Sequence, residues 1–244
     1  MSGVSPALHV LAIDTSTELC SAAVVTRDGR SILRSALTER SHADLILPMV
    51  DEVLAEAGLR LRDLDGLAFG RGPGGFTGLR IAAGVVQGLA YGAGLKVAPV
   101  SSLAAVAFLA SHAEAGEVAE GILVCNDARM NELYWACYRF DAADPLRAHG
   151  LTAERVSPPD RVEPAPGVRH FAGNGIARHP QLRERLEAAG LRFHDGLYPR
   201  ADAIARLGVA MLGRGEGVDA MQALPTYVRD DVARPAAGPV TGMS

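Results

Sequence analysis

Two aspartates close apolar strands and open polar turns: Asp14 in VLAIDTSTELC and Asp127 in ILVCNDARMNELYW. An aspartate so placed can orient a metal ion, or it can accept N–H groups of its own turn. The sequence leaves both readings open for Asp14. A third element, GRGPGGFTGLR, carries G-x-G-x-x-G at Gly70, Gly72 and Gly75, after a strand and before a helix. That is the context of a dinucleotide-binding turn. Two features argue against that chemistry. Pro73 removes a backbone donor that a pyrophosphate would use, and residues 66–113 contain no Asp or Glu to hold a ribose. The glycines and Pro73 are expected instead to shape a rigid turn feeding a helix capped by Thr77.

Other chemistries fall on simple counts. Of 24 basic residues 23 are Arg, and the single lysine, Lys96 in GLKVAP, cannot serve a Gly-Lys-Ser/Thr phosphate loop. Cys20, Cys125 and Cys137 lie inside apolar strands and read as buried small hydrophobes, with no disulfide frame or zinc site. The seven histidines show no H-x-x-x-H spacing, and no G-x-S-x-G elbow is present. Charge adds a further bound. The net charge is −4 and both halves of the chain are slightly acidic, so neither is a module that would hold nucleic acid by charge alone. The first residues lack a basic leader, and the longest apolar run, 81–95, is too short to span a bilayer. A cytoplasmic protein is expected.

The elements that must position these residues follow from periodicity. Two strands flank the Asp14-Thr15-Ser16-Thr17 turn, and a third is expected near 31–37. Helices are expected over 42–57, opened by a Ser41/Asp44 capping box and stopped by Gly58, over 76–93, and over 102–113. Strands at 64–70 and 96–100 separate them. After Glu120 the pattern restarts, with an Asp turn between two apolar strands, a strand at 168–172, and helices over 176–189 and 201–213. Residues 157–166 read as a loop and 230–244 as a loose tail. This predicts an α/β protein of two duplicated β-β-β-α-β-α units, divided at 1–102 and 103–229.

Helix 42–57 places Ile46, Met49, Val50, Val53, Leu54 and Ala57 on one face, and Leu45 and Leu47 widen it. Helix 76–93 carries Gly84, Gly88 and Gly92 four apart, each costing about 1 kcal/mol against Ala inside a helix. Close backbone contact along that row is the expected compensation, within the chain or across a subunit interface.

The duplicated units, with an Asp in each first turn, resemble the actin/Hsp70/sugar-kinase ATPase superfamily (ASKHA, RNase H-like). IDTST, SHADLILPMVDEVL, GRGPGGFTGLRIAAGVVQGLA, NDARMNELYWACY, FAGNG and LPTYVRD together resemble the YeaZ (TsaB) family over roughly residues 8–230. The resemblance implies a non-catalytic scaffold for tRNA threonylcarbamoylation, pairing with the transferase subunit TsaD and joined by TsaE. It implies a homodimer when TsaD is absent, tRNA contact only through the complex, and no cofactor of its own, ATP being used by the partners. The superfamily's nucleotide-site positions correspond to Asp14, Ser16, Asp127, Arg129, Gly173 and Gly175. Both Asp turns lack the glycine that ATPases place two residues on, which makes nucleotide binding by this chain doubtful. Gly173-Asn174-Gly175 reads equally as a strand-to-helix turn. Leu45, Met49, Ala82, Gly84 and Gly88 are the expected interface residues. The alternative is a small ATP-dependent phosphotransferase using Asp14.

Overall fold

Alternation along two central strands organises the whole molecule. In β1 (Val10–Asp14), Val10 and Ala12 face one core while Leu11 and Ile13 face another. In β6 (Gly121–Asp127), Ile122 and Val124 join the same inner core as Val10, and Leu123 and Cys125 face a third. A strand buried on both sides must be apolar at nearly every position, as these are. The structure, a computed structural model, describes residues 7–38, 41–113, 120–141 and 143–228; the expected loose tail lies outside them.

Each central strand anchors its own sheet, five-stranded in the first case and six-stranded in the second. The first sheet has the order β3 (Ser31–Leu37), β2 (Leu19–Val25), β1, β4 (Gly66–Gly72), β5 (Val97–Ser101). The second runs β11 (Arg192–His194), β10 (Val168–Ala172), β6, β7 (Leu133–Asp141), β8 (Asp144–Gly150), with β9 (Arg155–Ser157) paired to β7. In both, the central strand is antiparallel to the next strand in sequence and parallel to a later one, β4 in the first sheet and β10 in the second. The two sheets thus share one plan, as the expected duplication requires.

Helices α1 (His42–Ala57) and α2 (Phe76–Ala93) cover the outer face of the first sheet, and α4 (Pro180–Ala188) covers that of the second. Between the sheets lie α3 (Ser102–Ser111) and α5 (Ala201–Gly213), and they are exchanged. α3 follows the first sheet but packs on β6 and β7, while α5 follows the second and packs on β1, β4 and β5. All of α3 except Leu109 is buried, so it is apolar all round. Gly208 lets α5 approach β4, because a Cβ there would stand 2.6 Å from that of Ala68.

Four local expectations change. Ser41 makes no side-chain cap; its φ of −105° and ψ of 18° lie outside the extended geometry a capping serine needs. Gly75, not Thr77, caps α2, and Thr77 falls in the first turn. The helix over 176–189 is broken: a 3-10 turn ends at Arg178, and Pro180 starts α4 afresh by disfavouring helical geometry at His179. The second unit also lacks a counterpart of α1, since β9 and a 3-10 turn at Pro159–Arg161 take its place.

Because the inner core joins both sheets, damage in α3 should be felt across the molecule. Leu103→Ala removes a fully buried side chain there and should cost about 2–5 kcal/mol. A urea titration followed at Trp135, the single tryptophan, in the second sheet, should show the whole transition moved to lower denaturant.

Candidate functional site

The two Asp turns face one another across a cleft of about 590 Å³ between the repeats. Asp14 itself is fully buried beneath it. Its Oδ1 accepts the Ser16 N–H at 3.0 Å and the Ser16 hydroxyl at 2.8 Å, closing an Asx turn. Its Oδ2 has no hydrogen bond of good geometry, although the Ser102 hydroxyl lies beside it. Burial pushes the carboxyl up to about 6, against the downward pull of its bonds from Ser16. Gly70 is what permits this packing, since a Cβ there would stand 1.7 Å from Oδ2.

The glycine-rich loop is used by the chain itself. A Cβ on Gly74 would meet the Ser16 carbonyl at 2.4 Å, and one on Gly78 the Thr15 carbonyl at 1.9 Å. The Gly75 N–H donates to the Ser16 carbonyl at 2.8 Å, and the Thr15 hydroxyl donates to the Gly78 carbonyl at 2.7 Å. The first turn of α2 is thus docked on the Thr15-Ser16 turn, with backbone against backbone. His42 completes this wall, its Nε2 lying 2.8 Å from the Thr17 carbonyl and so donating to it.

On the opposite wall Arg129, Met130 and Asn131 all take left-handed backbone, with φ of 62°, 53° and 60°. The Arg129 N–H donates to Asp127 Oδ1 at 2.9 Å, and Glu132 and Ala128 close the hairpin. Asp127 Oδ2 faces two guanidinium groups, Arg129 at 3.3 Å and Arg178 at 3.4 Å. These are ion pairs without hydrogen-bond geometry, and a cation at Asp127 would have to compete with both. Among the described residues no group of three His, Cys, Asp or Glu is spaced to hold a metal.

Gly173 and Gly175 do not line the cleft. Gly173 has φ of 116° and a Cβ there would strike the Cys125 carbonyl at 2.2 Å; one on Gly175 would meet Leu133 at 2.3 Å. Between them, Asn174 accepts the Asp127 N–H at 3.1 Å and donates to Glu18 at 3.2 Å, tying the two repeats together. A second tie was not legible in the sequence. Arg71 makes a two-pronged ion pair with Glu154 at 3.0 and 3.1 Å, and Glu154 also accepts from the Ser101 and Tyr138 hydroxyls. Burial, then the Glu154 charge, holds the Tyr138 phenol well above its ordinary range.

The expected interface residues divide. Met49 and Ala82 are core, 9% and 0% exposed, because the chain's own first sheet claims their faces of α1 and α2. Leu45 is half-buried against the same core. Gly84 and Gly88 are exposed, and a Cβ on either, or on Gly92, would meet nothing within 4 Å. Leu47 on α1 and Tyr91 on α2 are exposed, 48% and 79%, and were not among the expected contacts.

The raised Asp14 carboxyl makes stability depend on pH. Below about pH 4 the group is neutral folded or unfolded. As pH rises from there to about 6 the unfolded chain ionises first, so stability is lost across that window and stays lost above it. Two pKa units correspond to roughly 3 kcal/mol. Asp14→Asn keeps the acceptor and removes the charge. Its stability relative to the parent should improve by that amount between pH 4 and pH 7, measured by urea denaturation at each pH.

Comparison with known proteins places this geometry. A family model described as TsaD, tRNA N6-adenosine threonylcarbamoyltransferase, matches residues 35–186. The chain is 37% identical to the tRNA threonylcarbamoyladenosine biosynthesis protein TsaB of Haemophilus influenzae, over 92% of this chain and 95% of that protein. It is 38% identical to the Escherichia coli protein of the same name, over 93% and 96%. The solved structure of YeaZ from Pseudomonas aeruginosa superimposes with a TM-score of 0.77 at 38% identity, covering 90% of this chain and 99% of that one. By sequence and by structure, the chain belongs to the TsaB (YeaZ) family.

Proposed function

We propose that this chain is the non-catalytic scaffold of tRNA threonylcarbamoyladenosine biosynthesis, pairing through α1 and α2 with a TsaD-type catalytic subunit. A second copy takes that place when the catalytic subunit is absent, a TsaE-type ATPase joins the pair, and tRNA is held by the assembly. The carrying observation is the outer face of α2. Gly74 and Gly78, at its start, are needed for contact inside the chain, whereas a Cβ on Gly84, Gly88 or Gly92 would meet nothing within 4 Å. Three helix-interior glycines together cost about 3 kcal/mol, and a partner helix at close range would offset that cost. Tyr91, three residues after Gly88 on the same helix and 79% exposed, adds apolar area beside the row.

The non-catalytic part of the reading is supported by the Asp turns. Asp14 is sealed beneath its own turn and Asp127 is engaged by two arginines. The alternative, a small phosphotransferase using Asp14, is not favoured by the named relatives. The purified chain should therefore neither hydrolyse ATP nor transfer a threonylcarbamoyl group. Steady ATP turnover that disappears in Asp14→Ala would sink the scaffold reading.

The glycine row gives a test with two opposite signs. Gly84→Ala and Gly88→Ala place a methyl in open space, so each should stabilise the isolated chain by about 1 kcal/mol. The same methyls should hold the partner helix away and weaken pairing. Thermal melts of the isolated variants and sedimentation with the TsaD-type subunit measure the two effects. Variants that melt higher and still pair normally would place the interface elsewhere.

A further inference from the structure

Phe76, Arg80 and Tyr227 form a cluster at the lip of the cleft, and neither the scaffold contact nor the Asp turns use it. Phe76 and Tyr227 are 43% and 42% exposed. Their ring centroids lie 5.4 Å apart, with the planes tilted by 38°. The Arg80 guanidinium carbon sits 3.7 Å from the centre of the Phe76 ring, and its Nε donates to the Tyr227 hydroxyl at 3.1 Å. Among the described residues Arg80 forms no ion pair with a carboxylate, unlike Arg71, Arg129 or Arg178.

We propose that this cluster is a stacking platform for an unpaired RNA base, with Arg80 holding the adjoining phosphate. The inference rests on the reading that the chain serves tRNA modification. Bases of single-stranded loops are recognised by stacking on aromatic rings and guanidinium planes, and a phosphate needs a cation free to meet it. Both are present and both are fixed in advance. The segment carrying Tyr227 is anchored by the Thr226 N–H to the Arg71 carbonyl at 2.7 Å, and by Gln87 to the Ala223 carbonyl at 3.2 Å. Less ordering is therefore left to be lost on binding.

Behind the platform Thr17, Thr38 and Thr77 line the cleft and bring hydroxyl groups suited to base edges and the 2′-hydroxyl, while the Thr15 and Ser16 hydroxyls are held within the chain. A protein partner would find less to use here, since a free cation beside hydroxyls would be costly to cover with apolar side chains. The net charge of −4 also fits. With few phosphate contacts available, this chain's share of RNA affinity must come from stacking. The platform sits at the N-terminal end of the helix face that carries the glycine row, with Phe76 about 12 Å and Arg80 about 6 Å along the helix from Gly84.

The probe is an unmodified anticodon stem-loop RNA carrying a fluorescent label, titrated with the pair formed by this chain and the TsaD-type subunit. Phe76→Leu and Tyr227→Leu should each weaken binding about 5- to 100-fold, the range that loss of one stacked base gives. Phe76→Tyr and Tyr227→Phe should bind nearly as the parent does. Arg80→Gln should lower the salt dependence by about one counterion, and the leucine variants should not. Unchanged RNA affinity in both leucine variants overturns the proposal. So does loss of pairing with the TsaD-type subunit in the same variants, which would make the cluster a protein contact. If the parent chain fails to pair at all, the scaffold reading fails and the isolated chain still decides this one. Titration with an anticodon-loop heptamer should shift the Phe76 and Tyr227 ring resonances, and rings that do not respond refute the platform.

Discussion

The docking of α2 on the Thr15-Ser16 turn is the constraint on which the rest of the structure depends. Backbone meets backbone there, at distances no side chain larger than hydrogen could tolerate at Gly74 or Gly78. That contact fixes where α2 begins, and so where its outer glycine row points and where Phe76 meets the cleft. It also occupies the loop whose glycines would otherwise suggest a phosphate cradle. The Ser16 and Thr15 carbonyls that face the loop are acceptors, and one already takes the Gly75 N–H. An anion finds no row of free donors in such a contact.

Beneath the same turn, Asp14 pays for its position with desolvation. A buried carboxyl with one satisfied oxygen and one unsatisfied one is costly as an anion, and its neighbourhood supplies two contacts from Ser16 and no cation. Asp127, its counterpart in the second repeat, takes the opposite solution, with two guanidinium groups at the rim of the cleft. The duplicated fold has thus kept two aspartates in equivalent turns while surrounding them differently. Neither environment resembles a pair of carboxylates held open for a shared metal ion.

The two repeats act as one body because their contacts cross the boundary in several ways. α3 and α5 are exchanged between sheets, Asn174 bonds to both Glu18 and Asp127, and Glu154 binds Arg71 across the join. The Arg71–Glu154 pair is sheltered and two-pronged, and two hydroxyls complete the carboxylate's shell, which is the arrangement in which an ion pair fixes geometry.

The strands of the first sheet, β6, β7 and β10 of the second, the long helices and the repeat itself were legible in the sequence, because each depends on a local period or a local stop signal, whereas β8, β9 and β11 were not. Gly58 ending α1 in a left-handed turn, and apolar runs at β1 and β6, needed no tertiary information. The break at Pro180 was also written locally, although the apolar spacing across 176–189 masked it. Which side of a helix belonged to the chain was not legible. Met49 and Ala82 carry the same apolar character as an interface residue would, and only the position of the first sheet assigned them to the core. The glycines divide for the same reason. Gly78 and Gly88 are indistinguishable as letters, yet one lies against the Thr15 carbonyl and the other faces open space. Composition and periodicity determine which residues are apolar, small or turn-forming, whereas long-range contact alone decides which neighbour each of them meets.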